Sequence, residues 1–237
     1  QKYGVALTWM NTYVDGRPVS ERPGYQVEVN ALWYNALCFV RDLDLKFGKG
    51  KLVQKTDNII GKIRENYTRV FWCEERKHLA DYVDDRGQNV FTRPNQLIAC
   101  CVKYSPLDDE TKMAVLTAVK KELLTVRGIR SLSPKNPLYR GVYEGSQIDR
   151  DLAYHQGCAF PDLLAPYIDV CFKMMGETFY GRARYLVEGF YDDISKHGVG
   201  CFSELYDGDP PHEPHGAIAS AMSTAALLHI EHVMNQY

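Results

Sequence analysis

Apolar side chains recur at helical spacing along most of the chain, and this feature constrains the fold more than any other. The clearest stretch is Glu177–Lys196, in which one apolar face continues from Phe179 to Ile194. A wider apolar zone in Gln26–Arg41 predicts a helix that is buried on more than one side. Five further stretches have helical spacing or a helix-start signal: Asp57–Trp72, Pro94–Tyr104, the segment that opens at Ser105, Pro161–Met174 and Gly216–Tyr237. The pattern therefore predicts about seven helices.

The helices are predicted to form a single all-α region. No strand alternation extends far enough to predict a central sheet, and no repeat or linker divides residues 1–237. A length of 237 residues suffices for one large domain with a sizeable core. We therefore expect an arc of antiparallel helix hairpins, which a central sheet of four or more strands would contradict.

Composition excludes several classes of protein. With 45% hydrophobic and 24% charged residues, the chain is too apolar to be disordered. A formal net charge of −2 leaves no basic excess for a nucleic-acid backbone. The longest weakly polar run, Ala217–Ile230, is too short to span a bilayer. We expect neither a nucleic-acid nor a membrane partner.

The cysteines indicate a reducing compartment. The chain has seven of them, without a CxxC pair or zinc-like spacing, and most lie in apolar runs. Buried free thiols are typical of cytoplasmic proteins. The first residue is Gln1 rather than Met, which we interpret as a cut or processed start.

Polar and aromatic residues collect in three loop segments. They lie at Thr8–Arg22, leading into Glu28 and Asn30; at Arg150–Gly157; and at Ser203–His212. The second segment closes a connection of about thirty residues, and so long a structureless loop in a compact domain is usually functional. A sugar site needs an aromatic floor, forked donors and acceptors for hydroxyls, and two carboxyl groups across the scissile bond.

Other chemistries have weaker support. Asp207, Asp209, His212, Glu213 and His215 contain metal-ligand types, but two prolines interrupt them and no helical His spacing exists, so we expect no metal. Cys158 near His155 has no readable third group to orient a catalytic pair. The chain has no Gly-rich phosphate loop after a strand, and we expect no cofactor.

Four blocks resemble the C-terminal amylo-α-1,6-glucosidase domain of bacterial and archaeal glycogen debranching enzymes. In family order they are Leu7–Asn11 with Gly16–Val19, Tyr25–Leu37 (YQVEVNALWYNAL), Ser131–Gly157 with its RDLAYHQG end, and Gly200–His212 with Ser203-Glu204. They extend over nearly the whole chain, and the second and third are too specific to be chance short motifs.

The resemblance implies an (α/α)6 toroid related to glucoamylase, in which six inner helices surround a pocket. It implies inverting hydrolysis of the α-1,6-linked glucose left at a trimmed glycogen branch. The general base of the family falls on Glu204. Its general acid is the Asp of a Thr-Trp-Met-Asp block, where this chain has Asn11.

An amide at the acid position leaves three interpretations open, because it has no proton to donate to a leaving oxygen. Asn11 is an engineered trap, or it is natural and Asp15 or another carboxyl serves instead, or the chain binds glucan without cutting it. Two aromatic positions also depart from the family: Trp is usual after His-Gln-Gly, where this chain has Ala159–Asp162, and in the last helix, where it has Met222.

The candidate substrate contacts keep alternatives of their own. Trp9 and Trp33 suit a core as well as a sugar platform. Glu28 and Asn30 either cap loops or meet sugar, and Arg150 with Asp151 is either a buried pair or a sugar contact. The remaining candidates are His155, Gln156 and Asp207.

About seven helices cannot close a toroid of twelve, so the chain resembles the C-terminal part of a catalytic domain. We expect the missing N-terminal part of the same protein to be its partner, with branched α-glucan as substrate. If the fragment is alone, its uncovered interior face predicts self-association. The functional alternative is a non-catalytic glucan-binding or structural fragment.

Overall fold

Helices dominate the structure. The computed structural model describes residues 1–195 and 197–237. Its α-helices are α1 Val27–Phe47, α2 Val53–Phe71, α3 Gln96–Cys101, α4 Asp109–Glu122, α5 Gln147–Tyr154, α6 Leu164–Met175, α7 Tyr180–Ile194 and α8 Ala221–Met234. A 3₁₀ turn, Gly176–Phe179, precedes α7. None of the helices within the described ranges is long and apolar enough to cross a membrane.

The seven predicted helices are all present, with different ends. Helix α1 continues beyond Arg41 to Phe47, and α7 begins at Tyr180 because the preceding residues form the 3₁₀ turn. The predicted end of α7, Lys196, lies outside the described residues. Apolar periodicity identified each buried face, whereas it does not encode where the backbone hydrogen bonds stop.

Helix α5 is absent from the prediction and lies inside the long loop. Its signal is a capping box: the Ser146 hydroxyl accepts from the Asp149 backbone N–H, and the Asp149 carboxylate accepts from the Ser146 N–H at 3.0 Å. This pattern satisfies donors at the helix start. Only eight residues follow it, which is too few for a convincing apolar stripe.

Helices α1, α3, α6 and α8 pack side by side in that order, and α2, α4 and α7 pack against this row. Val27, Leu97, Ile168 and Ile230, one from each helix of the row, are fully buried in one hydrophobic core. Burying several apolar side chains at about 1.5–3 kcal/mol each makes this core the main stabilising feature.

Short strands correct the expectation of a sheet-free chain. They are β1 Tyr13–Val14, β2 Arg17–Pro18, β3 Tyr25–Gln26, β4 Trp72–Cys73, β5 His78–Leu79, β6 Tyr82–Asp84, β7 Gly87–Asn89, β8 Leu124–Thr125, β9 Gly128–Arg130, β10 Ala159–Phe160, β11 Leu205–Tyr206 and β12 Pro214–His215. The largest sheet is antiparallel, in the order β12-β11-β10-β9-β8. It has more than four strands, but each is only two or three residues long and lies in the connections between helices. Strands this short leave no alternating pattern in a sequence.

The segments that precede α1, α3, α6 and α8 meet. The Val27 N–H at the start of α1 donates to the Asp81 carbonyl at 3.1 Å. Arg93, just before α3, donates to the Gln156 side chain at 2.6 Å. Strand β10 before α6 pairs with β11 before α8, with Ala159 opposite Tyr206. The three loop segments identified in the sequence are thereby brought to one end of the helix row.

Candidate active site

Buried polar groups hold the segment from Trp9 to Met10. The Trp9 indole N–H donates to Asn95 Oδ1 at 2.7 Å, and its ring contacts His155 and Phe160 edge-on at centroid distances of 5.1 and 5.7 Å. Met10 is fully buried, with its Sδ 3.7 Å from Asn95 Nδ2. Trp9 is therefore part of the packing rather than an open sugar platform.

Thr8 and Thr12, on either side of this segment, also contact buried side chains, and Asn11 lies exposed between them. Arg22 Nη1 donates to Thr8 Oγ1 at 3.2 Å, and Thr12 Oγ1 lies 2.9 Å from His155 Nδ1. The side chain of Asn11 is exposed and makes no hydrogen bond among the described residues. A rigid loop that presents one free side chain is suited to contact with a ligand.

Asp15 lies at the tip of the β1–β2 hairpin. Asp15 and Gly16 both have left-handed backbone conformations, with φ of 49° and 73°. Asp-Gly is a favoured pair for such a two-residue turn. The Asp15 side chain is exposed at this tip.

The carboxylate of Glu204 is fixed at both oxygens. The Tyr154 hydroxyl donates to Oε1, and the Ala217 backbone N–H donates to Oε2 at 2.8 Å. Glu204 N–H in turn donates to the Ala217 carbonyl at 2.9 Å. Gly216 adopts φ 73°, and a Cβ there would lie 2.7 Å from Glu204 Oε2. A partly exposed carboxylate held in this way can accept a proton from a water molecule.

Asp207 stabilises the aromatic group beside Glu204. Its Oδ1 accepts from the Tyr143 backbone N–H at 2.7 Å and lies 3.0 Å from His215 Nε2. The Tyr143 ring lies 5.5 Å from His215 and 6.0 Å from Tyr154. Asp207 is only 6% exposed. Its contacts with Tyr143 and His215 hold this group of rings in place.

One hydrophobic cluster joins the segment of Asn11 to that of Glu204. Trp9, two residues before Asn11, and Leu205, directly after Glu204, both belong to it. Its members are Ala153, Cys158, Phe160 and Leu205, with Trp9, Tyr143, Tyr154 and Leu163 packed against them. The two predicted catalytic positions are thereby carried by one packed unit.

Glu28 is committed to an internal ion pair. Arg22 donates to its two carboxylate oxygens at 2.5 and 2.7 Å and to Asp81 Oδ2 at 2.7 Å. Glu28 is 4% exposed and Arg22 1%. Burial lowers the pKa of Arg22, but the two carboxylates reverse the effect and raise it overall. The structure therefore favours a supporting role for Glu28 over contact with sugar.

His155 and Gln156 are buried, although their loop position beside a glycine predicts ligand contacts. Arg93 donates to the His155 carbonyl at 2.7 Å and to Gln156 Oε1 at 2.6 Å. Burial, with the charges of Arg93 and Arg22, lowers the pKa of His155 to about 3. The His155 imidazole is therefore neutral at physiological pH.

Two candidates on α1 lie at or near the surface. The side-chain amide of Asn30 donates to the Gln26 carbonyl at 2.8 Å, and Trp33 is 54% exposed. Trp33 is therefore not a core residue in this chain.

Arg150 and Asp151 on α5 do not form the buried pair that was one alternative. Arg150 donates to the Gly145 carbonyl at 2.7 Å and to Gln147 Oε1 at 3.0 Å. Asp151 accepts from Gln147 Nε2 at 2.8 Å. Both residues are half-buried, and each is tied to its own helix or to the turn before it.

Three buried residues that the sequence pattern does not identify, Asp81, Arg93 and Asn95, connect the segments of Trp9, Arg22 and His155. Asn95 Nδ2 donates to Asp81 Oδ1 at 2.7 Å while its Oδ1 accepts from Trp9. Arg93 and Asn95 lie directly before α3, whereas Asp81 lies between β5 and β6, and no local sequence pattern links the three. All three are nearly fully buried.

The described residues do not support the alternative chemistries. No group of three or more His, Cys, Asp or Glu side chains in the described ranges could hold a metal ion. Burial raises the pKa of the Cys158 thiol, whose Sγ lies 3.4 Å from the Ala153 carbonyl oxygen. A thiol in this state is a poor nucleophile.

A family profile described as amylo-alpha-1,6-glucosidase matches residues 1–229. The chain belongs to this family. The resemblance based on the four sequence blocks is therefore confirmed. A comparison with curated protein sequences gave no match.

Solved glycoside hydrolases share the fold of this amylo-α-1,6-glucosidase domain. The GH63 mannosylglycerate hydrolase from Thermus thermophilus in complex with Tris superposes with a TM-score of 0.61 at 12% identity, over 88% of this chain and 45% of that chain. The complex of the same hydrolase with glucose superposes with a TM-score of 0.61 at 13% identity, over 88% of this chain and 47% of that chain. Neutral trehalase from Saccharomyces cerevisiae superposes with a TM-score of 0.62 at 13% identity, over 89% of this chain and 40% of that chain. The domain is thus helix-rich, with structural neighbours among the (α/α)6 glycosidases, and it spans less than half of each of these structures.

Proposed function

We propose that the protein carrying this domain hydrolyses α-1,6-linked glucose at the branch points of glycogen or a similar α-glucan, with inversion at the anomeric carbon. The observation that supports this most is that one packed cluster carries both the exposed Asn11 and the fixed carboxylate of Glu204. These are the positions of the acid and base in the family that the chain resembles. The proposed location is the cytoplasm, which suits the free cysteines.

Glu204 is proposed as the general base. In an inverting site the two catalytic carboxyl positions lie roughly 6.5–9.5 Å apart, which leaves room for a water molecule behind the sugar ring. We therefore expect the side chains of Asn11 and Glu204 to face one cavity at that separation. An amide cannot supply the proton, so another carboxyl must complete the reaction.

Substrate contact is proposed for the accessible candidates Asn30, Trp33, Arg150 and Asp151. Glu28, His155, Gln156 and Asp207 act behind the site, because their side chains are buried and engaged with protein groups. This division follows from the cost of breaking a buried, satisfied hydrogen bond to reach a sugar hydroxyl.

We further propose that residues 1–237 are the C-terminal part of one catalytic domain. The two outermost helices of the row, α1 and α8, each have an apolar surface that the other described residues leave exposed. Helix α1 exposes Val29, Leu32, Phe39 and Val40 there, and α8 exposes Met222 and Leu228. Further helices of a toroid would cover these faces. A fragment without them is expected to self-associate, which size-exclusion chromatography with light scattering would detect.

Glucose release from trimmed glycogen by the full-length protein tests the proposed activity. Linear maltooligosaccharides provide the linkage control, and Glu204→Gln provides the catalytic control. Release from the branched substrate alone, lost in Glu204→Gln, supports the proposal. Glucan binding without any release would establish the non-catalytic alternative, and hydrolysis of linear chains at the same rate would refute the α-1,6 assignment.

A further inference from the structure

A second cavity lies away from the candidate active site. It has a volume of about 370 Å³ and is lined from the middle of α1 and α2, the residues directly after α3, the first turn of α4 and the last turn of α6. Helices α1, α3 and α6 all begin at the end of the row that carries the candidate active site. The cavity therefore lies towards the opposite end of the row.

Positive charge is concentrated in this cavity. Among the described residues that line it, none is a carboxylate and five are cations: Arg41, Arg64, Lys103, Lys112 and Lys173. Arg41 is paired with Asp42 at 3.1 Å and with Asp57 at 3.5 Å. Lys112 is paired with Asp109 at 2.9 Å. The other three cations form no ion pair within residues 1–195 and 197–237, although the chain as a whole has a formal net charge of −2.

A buried tyrosine supplies a further donor to the cavity. Tyr34 is only 2% exposed, and its hydroxyl oxygen accepts from Arg64 Nε at 3.1 Å and from Arg64 Nη2 at 3.0 Å. The proton of this hydroxyl has no acceptor in the part of the chain that the structure describes. A buried donor left without an acceptor costs free energy, which a ligand oxygen in the cavity would recover.

Two of the lysines act on the same part of the cavity. Burial raises the pKa of the Cys100 thiol, which lines the cavity, whereas the charges of Lys112 and Lys173 lower it. Lys173 Nζ also donates to the Cys101 carbonyl at the end of α3, at 2.6 Å. An ammonium group has three N–H donors, so this bond leaves two of them for a ligand.

These groups match the chemistry of phosphate. A phosphate monoester carries a charge of about −1.5 to −2 and has three acceptor oxygens. The forked donors of arginine and the point charge of lysine are the usual partners of such a group. A carboxylate has only one negative charge and would leave more of the three unpaired cations uncompensated.

We propose that this cavity binds a phosphate dianion, either free or as the phosphomonoester of a small sugar, through Arg64, Lys103, Lys173 and the Tyr34 hydroxyl. The cavity volume lies within the roughly 300–1,000 Å³ of small-molecule sites, which is more than free phosphate needs and favours the monoester. The inference does not rest on the proposed function, because it concerns binding at a separate place in the fold.

Isothermal titration calorimetry of the full-length protein in 0.1 M sodium chloride tests the site, because salt at this concentration screens weak attraction between exposed charges. Glucose 6-phosphate should bind at one site per chain, and glucose should not. Arg64→Gln should weaken binding by roughly 10–100-fold, as expected when a charged hydrogen-bond donor is lost. Lys103→Gln should weaken it in the same direction. Arg69→Gln is the matched control, because Arg69 is an exposed arginine on the same helix that does not line the cavity.

A titration with inorganic phosphate separates the two sources of the dianion. Tighter binding of glucose 6-phosphate assigns the monoester, and equal binding assigns free phosphate. Arg64 is exposed, so its substitution leaves the hydrophobic core intact, and a melting temperature equal to that of Arg69→Gln would show this. Binding of neither probe by the wild-type protein, or binding that Arg64→Gln and Lys103→Gln leave unchanged, would overturn the proposal. Neither result depends on whether the protein hydrolyses glucan.

Discussion

The hydroxyl of Tyr154 donates a hydrogen bond to Oε1 of Glu204, from the last residue of α5 to the residue before β11. The Ala217 N–H holds the other oxygen at 2.8 Å. The proposed base therefore has a fixed orientation before substrate arrives. Orientation of this kind lowers the cost of reaching the transition state.

Tyr154→Phe should lower kcat on branched substrate and leave KM nearly unchanged. It removes one hydrogen bond to a charged group, worth about 1.5–3 kcal/mol, which corresponds to roughly 10–100-fold in rate. Steady-state kinetics of the full-length protein measures both parameters. Tyr185→Phe, at an exposed tyrosine, is the control. Unchanged kcat would show that the Tyr154 hydroxyl does not position Glu204.

Gly216→Ala should reduce kcat through the same carboxylate. A Cβ at Gly216 would approach Glu204 Oε2 to 2.7 Å, so the side chain must move. Gly176→Ala is a matched control, because Gly176 also has positive φ, 56°, but a Cβ there would meet no atom within 4 Å. Both variants bear a backbone cost on the order of 1 kcal/mol. If both lose activity equally, displacement of Glu204 is not the cause.

Arg22→Met should destabilise the fold by about 3–5 kcal/mol, because it leaves the carboxylates of Glu28 and Asp81 buried without their partner. Arg184→Met is the comparison. It breaks an exposed pair with Glu188 at 2.6 Å and should cost less than about 1 kcal/mol. Denaturant unfolding measures both. Similar costs for the two variants would contradict the role assigned to the buried network.

His155 should make stability depend on pH. Its pKa is lowered from 6.5 to about 3 in the folded protein, so the unfolded chain binds the extra proton first. The stability is present above pH 6.5 and is lost as the pH falls towards 3, at about 1.4 kcal/mol per pH unit. His155→Gln should reduce this slope between about pH 6 and 4.5, unlike His229→Gln at an exposed histidine. An unchanged slope would show that a group other than His155 causes the pH dependence of stability.

The sequence predicts the helices better than the site. Apolar periodicity marks every buried face of the main helices, because burial acts on each turn of the chain in the same way. The strands and α5 escape prediction because they are too short to show a period. Tyr206 illustrates this, since a two-residue strand carries it into the core.

Residue types alone do not separate ligand contacts from supporting groups. Glu28, His155 and Gln156 occupy motif blocks, yet Arg22 and Arg93 bind them inside the protein. The partners of His155 and Gln156 lie far away in sequence, at separations that no local pattern records.

The configuration of the released sugar tests the central claim most directly. Proton NMR of the full-length protein acting on an α-1,6-branched glucan should show β-glucose first, because the water molecule activated by Glu204 attacks opposite the leaving oxygen. Glu204→Gln should give no product. Initial α-glucose, or β-glucose that persists in Glu204→Gln, would contradict an inverting reaction with Glu204 as its base.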